Sequence, residues 1–179
     1  MRRAVFLDRD GVINRGVMKA GRPFAPSHLD EFEILPGVPE ALADLRAGGF
    51  LVIVTTNQPD VSRGAVPQEQ VEAIHAFMRE RMAIDEVRVC YHDDSHRCAC
   101  RKPMPGMIFA ASVAHEIQVG ASFMVGDRWR DIGAGKNAGC ATILVNAFPE
   151  RTRIEPDIEL SDLPAAARWI LARTPAGPD

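Results

Sequence analysis

The sequence predicts an α/β protein, a doubly wound and mostly parallel sheet with helices on both faces. Three observations lead there. Short apolar runs recur along the chain, at Ala4–Leu7, Phe50–Val54, Ala121–Val125 and Ala141–Val145. Each is short and apolar, broken only by Ser122 in the third and Thr142 in the fourth, which reads as a strand buried on both sides. Segments with apolar residues at helical spacing separate them. The runs also end in polar groups: Asp8 and Asp10 after the first, Thr55, Thr56 and Asn57 after the second, Asp127 after the third. Open α/β sheets place their sites at the carboxyl ends of such strands.

The first run, followed by Asp8-Arg9-Asp10-Gly11, delivers two carboxylates into a turn opened by glycine. Residues 15 to 33, rich in Gly, Pro and charge, read as a long loop covering the mouth of the site, since loops of more than about 12 residues are usually lids or binding loops. Val38, Leu42 and Leu45 repeat at helical spacing, and Gly48-Gly49 stop that helix. A second amphipathic helix runs from Pro67 to Met82, with Val71, Ile74, Phe77 and Met78 as its apolar residues and His75 assigned to its surface or an interface, not to a ligand role. Glu86–Tyr91 alternates, which places it as a strand near the sheet edge. A helix follows Pro105-Gly106, another begins near Asp131, and Leu163–Arg173 closes the fold. Residues 1–173 are expected to form one domain, with a frayed tail over 174–179.

Composition bounds the function. With 46% hydrophobic and 25% charged residues, the 179-residue chain has the makeup of one globular domain. A formal charge of −3 offers no basic footprint for nucleic acid. No run approaches the roughly 18 apolar residues of a membrane span, and the N-terminus lacks the apolar core of a signal peptide. A cytoplasmic monomer with reduced cysteines is the expectation.

The paired aspartates would repel each other without a cation beside them, and Mg²⁺, hard and oxygen-seeking, suits that place. Aspartate can also act as a nucleophile toward phosphorus. A hydroxyl and an amide at the second strand end can donate to a phosphate oxygen, with Thr55 and Thr56 both candidates. Arg101 and Lys102 would place positive charge on an anionic substrate. Cys90, His92, Cys98 and Cys100 fall within eleven positions, and three thiols with one imidazole suit tetrahedral Zn²⁺ with no open position. Two alternatives remain at this level: reduced thiols in a loop, or His96 in place of His92.

Taken in order, Asp8-Arg9-Asp10-Gly11-Val12-Ile13-Asn14, Thr56-Asn57-Gln58 with Arg63-Gly64, Cys98-Ala99-Cys100-Arg101-Lys102-Pro103 and Gly126-Asp127 through Asp131 resemble the four motifs of the haloacid dehalogenase (HAD) superfamily. Within it, the chain is similar to the heptose 1,7-bisphosphate phosphatase and histidinol-phosphate phosphatase group. The resemblance implies a fold without a large cap domain and with a zinc-binding loop. It implies Asp8 as nucleophile, Asp10 as general acid and base, and Thr56 with Lys102 as stabilisers of the transferring phosphoryl group. Mg²⁺ would be held by Asp8, the Asp10 backbone carbonyl and Asp127, and structural Zn²⁺ by the Cys90, His92, Cys98, Cys100 set. Asn57, Arg63 and Arg101 would bind substrate, with Arg128 and Asp131 in support; Arg128 stands where relatives often carry Lys. Pro59-Asp60 departs from the Ser-Gly usual after the family's Thr-Asn-Gln, which touches substrate recognition.

The implied reaction is removal of the 7-phosphate from a heptose 1,7-bisphosphate, in the synthesis of nucleotide-activated heptose for lipopolysaccharide or other glycans. Histidinol phosphate or another small sugar phosphate is the alternative substrate, favoured by the short gap inside the cysteine cluster and opposed by Pro105-Gly106-Met107. A phospho-receiver switch shares the sheet, acids, hydroxyl and lysine. It normally draws its phosphorylated Asp and metal acids from different strands, unlike the adjacent Asp8 and Asp10.

Overall fold

The structure, a computed structural model, describes residues 1–146 and 154–173; the expected tail over 174–179 lies outside them. β1 (Arg3–Leu7) sits inside a six-stranded sheet with β4 (Phe50–Asn57), β5 (Glu86–Cys90), β6 (Phe123–Gly126), β7 (Ala141–Val145) and β8 (Ile158–Leu160). A two-stranded hairpin, β2 (Val17–Lys19) and β3 (Arg22–Phe24), stands apart from it. The sheet order is β5-β4-β1-β6-β7-β8, and every pairing in it is parallel. Counting only these strands, that is the doubly wound order 3-2-1-4-5-6, whose direction of growth reverses between the first and fourth. Here the reversal falls between β1 and β6, the two strands that carry the candidate aspartates.

Side-chain alternation along β1 builds a core on each face. Val5 and Leu7 pack with α1 (Val38–Ala47), α2 (Gln68–Arg81) and α5 (Leu163–Arg173). Ala4 and Phe6 pack with α3 (Gly106–His115) and α4 (Trp129–Ala138). Both faces of β1 are therefore buried, which is why its sequence shows no polar alternation. Among the described residues no helix is long and apolar enough to cross a membrane.

Four expectations change. The segment over residues 15–33 is not wholly loop, since it contains the β2–β3 hairpin, turned by Ala20 and Gly21, both at positive φ. Strands of three residues are too short for alternation to reveal. β4 continues three residues past Val54, because Thr55, Thr56 and Asn57 pair with Arg88, Val89 and Cys90 of the edge strand. β6 starts at Phe123 rather than Ala121, after a 3₁₀ turn over Val119–Ala121. His75 is not at the surface: it is buried on α2, four residues after Val71 and three before Met78. That spacing puts it on the apolar face, a signal present in the sequence.

Candidate active site

The carboxyl ends of β1, β4 and β6 open into one cleft of about 290 Å³. Asp8 follows β1, and its backbone N–H donates to Val125 O at 2.9 Å, tying it to the neighbouring strand. Arg9 O then accepts the backbone N–H groups of Val12, Ile13 and Asn14, which folds the following residues into a tight turn. Gly11 makes this turn possible twice over. Its φ is +86°, and a Cβ there would lie 2.2 Å from Asp127 Oδ2.

Asp8, Asp127 and Asp131 converge, with one carboxylate oxygen from each lying within 4.8 Å of the others. Lys102 is buried among them. Its ammonium donates to Asp8 Oδ1 at 2.8 Å, Asp131 Oδ1 at 2.6 Å and Thr55 O at 2.7 Å, so all three of its protons are used. Burial alone would lower the Lys102 pKa, but Asp131 and Asp8 outweigh it and hold it raised. Burial pushes Asp8 up to about 7, against the pull of Lys102 and with the repulsion of Asp131 and Asp10. Burial, then Asp8 and Asp131, raises Asp127 well above the usual carboxylate range.

Three buried acids with a single buried lysine leave an excess of negative charge. Asp127 Oδ1 is buried without a hydrogen-bond partner, whereas Asp131 spends one oxygen on Lys102 and the other on the Arg128 backbone N–H at 3.1 Å. An orphaned carboxylate oxygen beside Asp8 fits a hard divalent cation such as Mg²⁺.

Asp10 also lines the cleft, but its carboxylate is held by a different set of partners. Arg9, fully buried, grips it through Nε and Nη2 at 3.0–3.1 Å, while Asn14 Nδ2 donates at 3.1 Å and Gln58 Nε2 at 2.8 Å. Burial would raise the Asp10 pKa, yet Arg9, Gln58 and Asn14 together hold it below the ordinary value. Asp10 therefore rests ionised in this arrangement, the form that can accept a proton, whereas the expected general-acid half of its role needs it to take one up first.

The other expected residues distribute unevenly. Thr56 is fully buried and its hydroxyl accepts from Gln58 Nε2 at 2.8 Å; it does not line the cleft. Thr55 contacts Met124 Sδ through its hydroxyl and Lys102 through its carbonyl. Asn57 clamps the Lys102 backbone with two bonds, Nδ2 to Lys102 O at 3.2 Å and Lys102 N to Asn57 Oδ1 at 3.1 Å. It also lines the cleft, so it positions a stabilising cation from a place open to substrate. Arg63, Arg101 and Arg128 line the cleft as expected, and Arg130 joins them unannounced. Asp94 accepts from both Arg101 Nε at 2.9 Å and Arg130 Nη1 at 3.0 Å, so one carboxylate on the cysteine loop fixes two guanidinium groups. From the hairpin side, Gly16, Pro23 and Phe24 close the mouth, and Arg128 Nη2 donates to Pro23 O at 3.4 Å.

Next to Arg101, the sulfurs of Cys90, Cys98 and Cys100 stand 3.2–3.7 Å apart, and His92 Nδ1 lies 3.4 Å from Cys100 Sγ and 3.7 Å from Cys90 Sγ. Zinc–sulfur bonds of about 2.3 Å in a tetrahedron require sulfur separations of about 3.8 Å, so this donor set fits Zn²⁺. His92, not His96, is the imidazole that converges with the three sulfurs; the His96 Nδ1 pairs with Asp93 Oδ1 at 2.8 Å.

Arg9, His75, Gln58, Asn14, Asp94 and Arg130 are the functional neighbours that sequence reasoning missed. For Arg9 the signal was an arginine held between two acids at the end of a strand buried on both faces, and for His75 its place on the apolar face of α2; for the others only the tertiary fold reveals them.

Known proteins resemble this chain in sequence and in fold. A family model described as HAD-hydrolase-like matches residues 99–159. The D-glycero-beta-D-manno-heptose-1,7-bisphosphate 7-phosphatase of Bordetella bronchiseptica is 33% identical over 183 residues, covering 93% of this chain and 97% of that protein. The protein of the same description from Rhodopseudomonas palustris is 37% identical over 150 residues, covering 77% of this chain and 80% of its own length. The crystal structure of D,D-heptose 1,7-bisphosphate phosphatase from B. bronchiseptica, complexed with magnesium and phosphate, superposes with a TM-score of 0.84 at 31% identity, covering 95% of this chain and 98% of that one. The corresponding protein of Burkholderia thailandensis gives a TM-score of 0.68 at 28% identity over 96% of this chain and 100% of that one. Identity sustained along nearly the whole length, together with the sheet order and the acid cluster at its switch point, means that this chain belongs to the HAD-like hydrolase family and is a phosphatase.

Proposed function

We propose that the protein removes the 7-phosphate of a heptose 1,7-bisphosphate through an aspartyl-phosphate on Asp8. The observation that carries the chemistry is the convergence of Asp8, Asp127 and Lys102 at the reversal point of the sheet. The names of the relatives carry the substrate. Residues 1–173 act as one catalytic domain, in a monomer that works in the reducing cytoplasm, where the free thiols of Cys90, Cys98 and Cys100 stay available to a metal.

Asp8 and Asp127, with the Asp10 carbonyl, would hold Mg²⁺; when bound, it offsets the crowded acids and neutralises phosphoryl oxygens. Asp8 Oδ attacks phosphorus in line, and the bond from phosphorus to the sugar oxygen breaks. Lys102 faces the equatorial oxygens from the ring of Asp8, Asp131 and Thr55 that fixes its ammonium. Thr56 supports from behind, through the Gln58 amide that also reaches Asp10. Asp10 gives a proton to the leaving alkoxide. It acquires that proton on substrate binding: with a second pKa of about 6, a fraction of the phosphate monoester still carries one near neutral pH, and the substrate's negative charge beside Asp10 raises the proton affinity of the carboxyl so that it takes this proton, or one from solvent. Asp10 then takes a proton from the water that attacks the phosphoenzyme, the role its ionised resting state suits directly.

Arg101, Arg128 and Arg63 give the cleft a cationic rim suited to the second phosphate of a bisphosphate, with Asp94 keeping Arg101 in place. Zn²⁺ on Cys90, His92, Cys98 and Cys100 would rigidify the loop that ends in Arg101 and Lys102. The test is a turnover screen in Mg²⁺ over heptose 1,7-bisphosphate, hexose bisphosphates, sugar monophosphates and histidinol phosphate. Highest kcat/KM on the heptose bisphosphate, with release of one phosphate, is the expected result; a preference for histidinol phosphate overturns the substrate assignment.

A further inference from the structure

The largest fully buried side chain among the described residues is an arginine, Arg9, and the reaction as described leaves it no task of its own. Burying a guanidinium costs several kcal/mol unless its charge and its donors are met. Nε and Nη2 meet Asp10, and Nη1 lies 3.0 Å from His75 Nε2, sixty-six residues away on α2. A guanidinium only donates, so Nε2 accepts and the ring proton sits on Nδ1. Burial, reinforced by Arg9, pushes His75 down to about 3, so the ring is neutral at physiological pH and stays an acceptor. Its Nδ1 faces Glu72 Oε2 at 4.0 Å, and Glu72 in turn accepts from the Tyr91 hydroxyl.

We propose that His75 and Arg9 are positioning residues for Asp10: His75 fixes the Arg9 fork by accepting from Nη1, and the fork fixes the carboxyl that protonates the leaving group. The shape of the cluster carries this. With Nη1 held on His75, the edge formed by Nε and Nη2 can meet Asp10 in one orientation only. Gln58 and Asn14 are the remaining donors to the same carboxyl, so the loss of Arg9 alignment would leave Asp10 with two amides and freedom to rotate. A buried histidine serves here as an uncharged strut.

This inference rests on Asp10 acting in the proposed reaction, and leaving-group chemistry tests the two separately. An alkyl phosphate needs a proton on its departing oxygen; p-nitrophenyl phosphate does not, and kcat/KM for each reports formation of the phosphoenzyme. His75→Leu, of similar bulk but without an acceptor, should lower kcat/KM on an alkyl phosphate by roughly 10–100-fold, part of the range general acids supply. On p-nitrophenyl phosphate it should change little. His75→Gln, whose side-chain oxygen can accept from Arg9, should restore the alkyl rate. Arg9→Lys keeps the cation and loses the fork; it should show the same selective loss, and it decides the matter should His75→Leu fail to fold. Equal losses on both substrates, or no loss on either, overturn the positioning role. Asp10→Asn runs in parallel: a selective loss there with none in the His75 and Arg9 variants refutes this inference alone, whereas no selective loss in Asp10→Asn refutes the assignment of Asp10 itself.

Discussion

Replacing Asp127 by asparagine should make the metal-free protein more stable and the magnesium-loaded protein less so. The carboxylates of Asp8, Asp127 and Asp131 approach within 4.8 Å, where one like-charge pair costs about 3.5 kcal/mol at an effective dielectric of about 20. Asp127 takes part in two such pairs, roughly 7 kcal/mol in all. Arg128 Nε, 3.7 Å from Asp127 Oδ2, returns at most about 4.5 kcal/mol on the same scale, less because that side chain is partly exposed. Lys102 adds attraction, so a net gain of about 2 kcal/mol is expected for Asp127→Asn in chelator at pH 8, or about 4–8 °C in Tm for a chain of this size.

The pH dependence has a defined sign. An acid whose pKa is raised by folding leaves the fold at full stability below its unfolded value and weakens it as pH rises toward the folded one. The advantage of Asp127→Asn should therefore shrink toward pH 4. In Mg²⁺ at about 100 times its Kd, the wild type should gain about 2.7 kcal/mol by mass action, and the variant should lose most of that gain. Thermal unfolding of both proteins, in EDTA and in Mg²⁺, reads all of this. A variant less stable than wild type in EDTA at pH 8, or one with an undiminished Mg²⁺ shift, refutes the charge-crowding argument.

Other outcomes follow from the same geometry. Purified protein should hold about one zinc per chain, and Cys98→Ser should lower both zinc content by elemental analysis and Tm. Because the His75 pKa falls from 6.5 to about 3 on folding, His75 contributes stability that is complete above pH 6.5 and lost as pH falls toward 3, at up to about 1.4 kcal/mol per pH unit. Denaturant unfolding of His75→Gln should show that slope removed. A Cβ at Gly126 would lie 2.1 Å from Asp131 Cβ, so Gly126→Ala should displace Asp131 from Lys102, costing about 1–3 kcal/mol by denaturant unfolding and at least tenfold in kcat/KM.

What could be read in advance was what the chain states locally. The strands buried on both faces were legible because β1 and β4 carry unbroken apolar runs and β7 one interrupted only by Thr142, and the acid cluster because Asp8, Asp10 and Asp127 each stand just past a strand. The cysteine cluster was legible as a donor set, although only coordinates could choose His92 over His96. The partners of the Asp10 carboxylate were not legible. They come from Arg9, Asn14 and Gln58, and the acceptor behind Arg9 is a histidine on an amphipathic helix that the pattern gave no part in the site. The place of Asn57 at the cleft was legible because strand ends in such sheets bind ligands; its hold on the Lys102 backbone, forty-five residues away, was not. β8 escaped notice because it has three residues and a glutamate at its centre.

The central claim is that Asp8 takes the phosphoryl group onto itself. Acid-quenching the enzyme during turnover of a phosphate-labelled substrate in Mg²⁺, followed by peptide mass mapping, tests it most directly. One phosphoryl group on the peptide containing Asp8, absent in Asp8→Asn, is the predicted result. Label on another residue, or phosphate release at full rate with no labelled protein at any quench time, contradicts it.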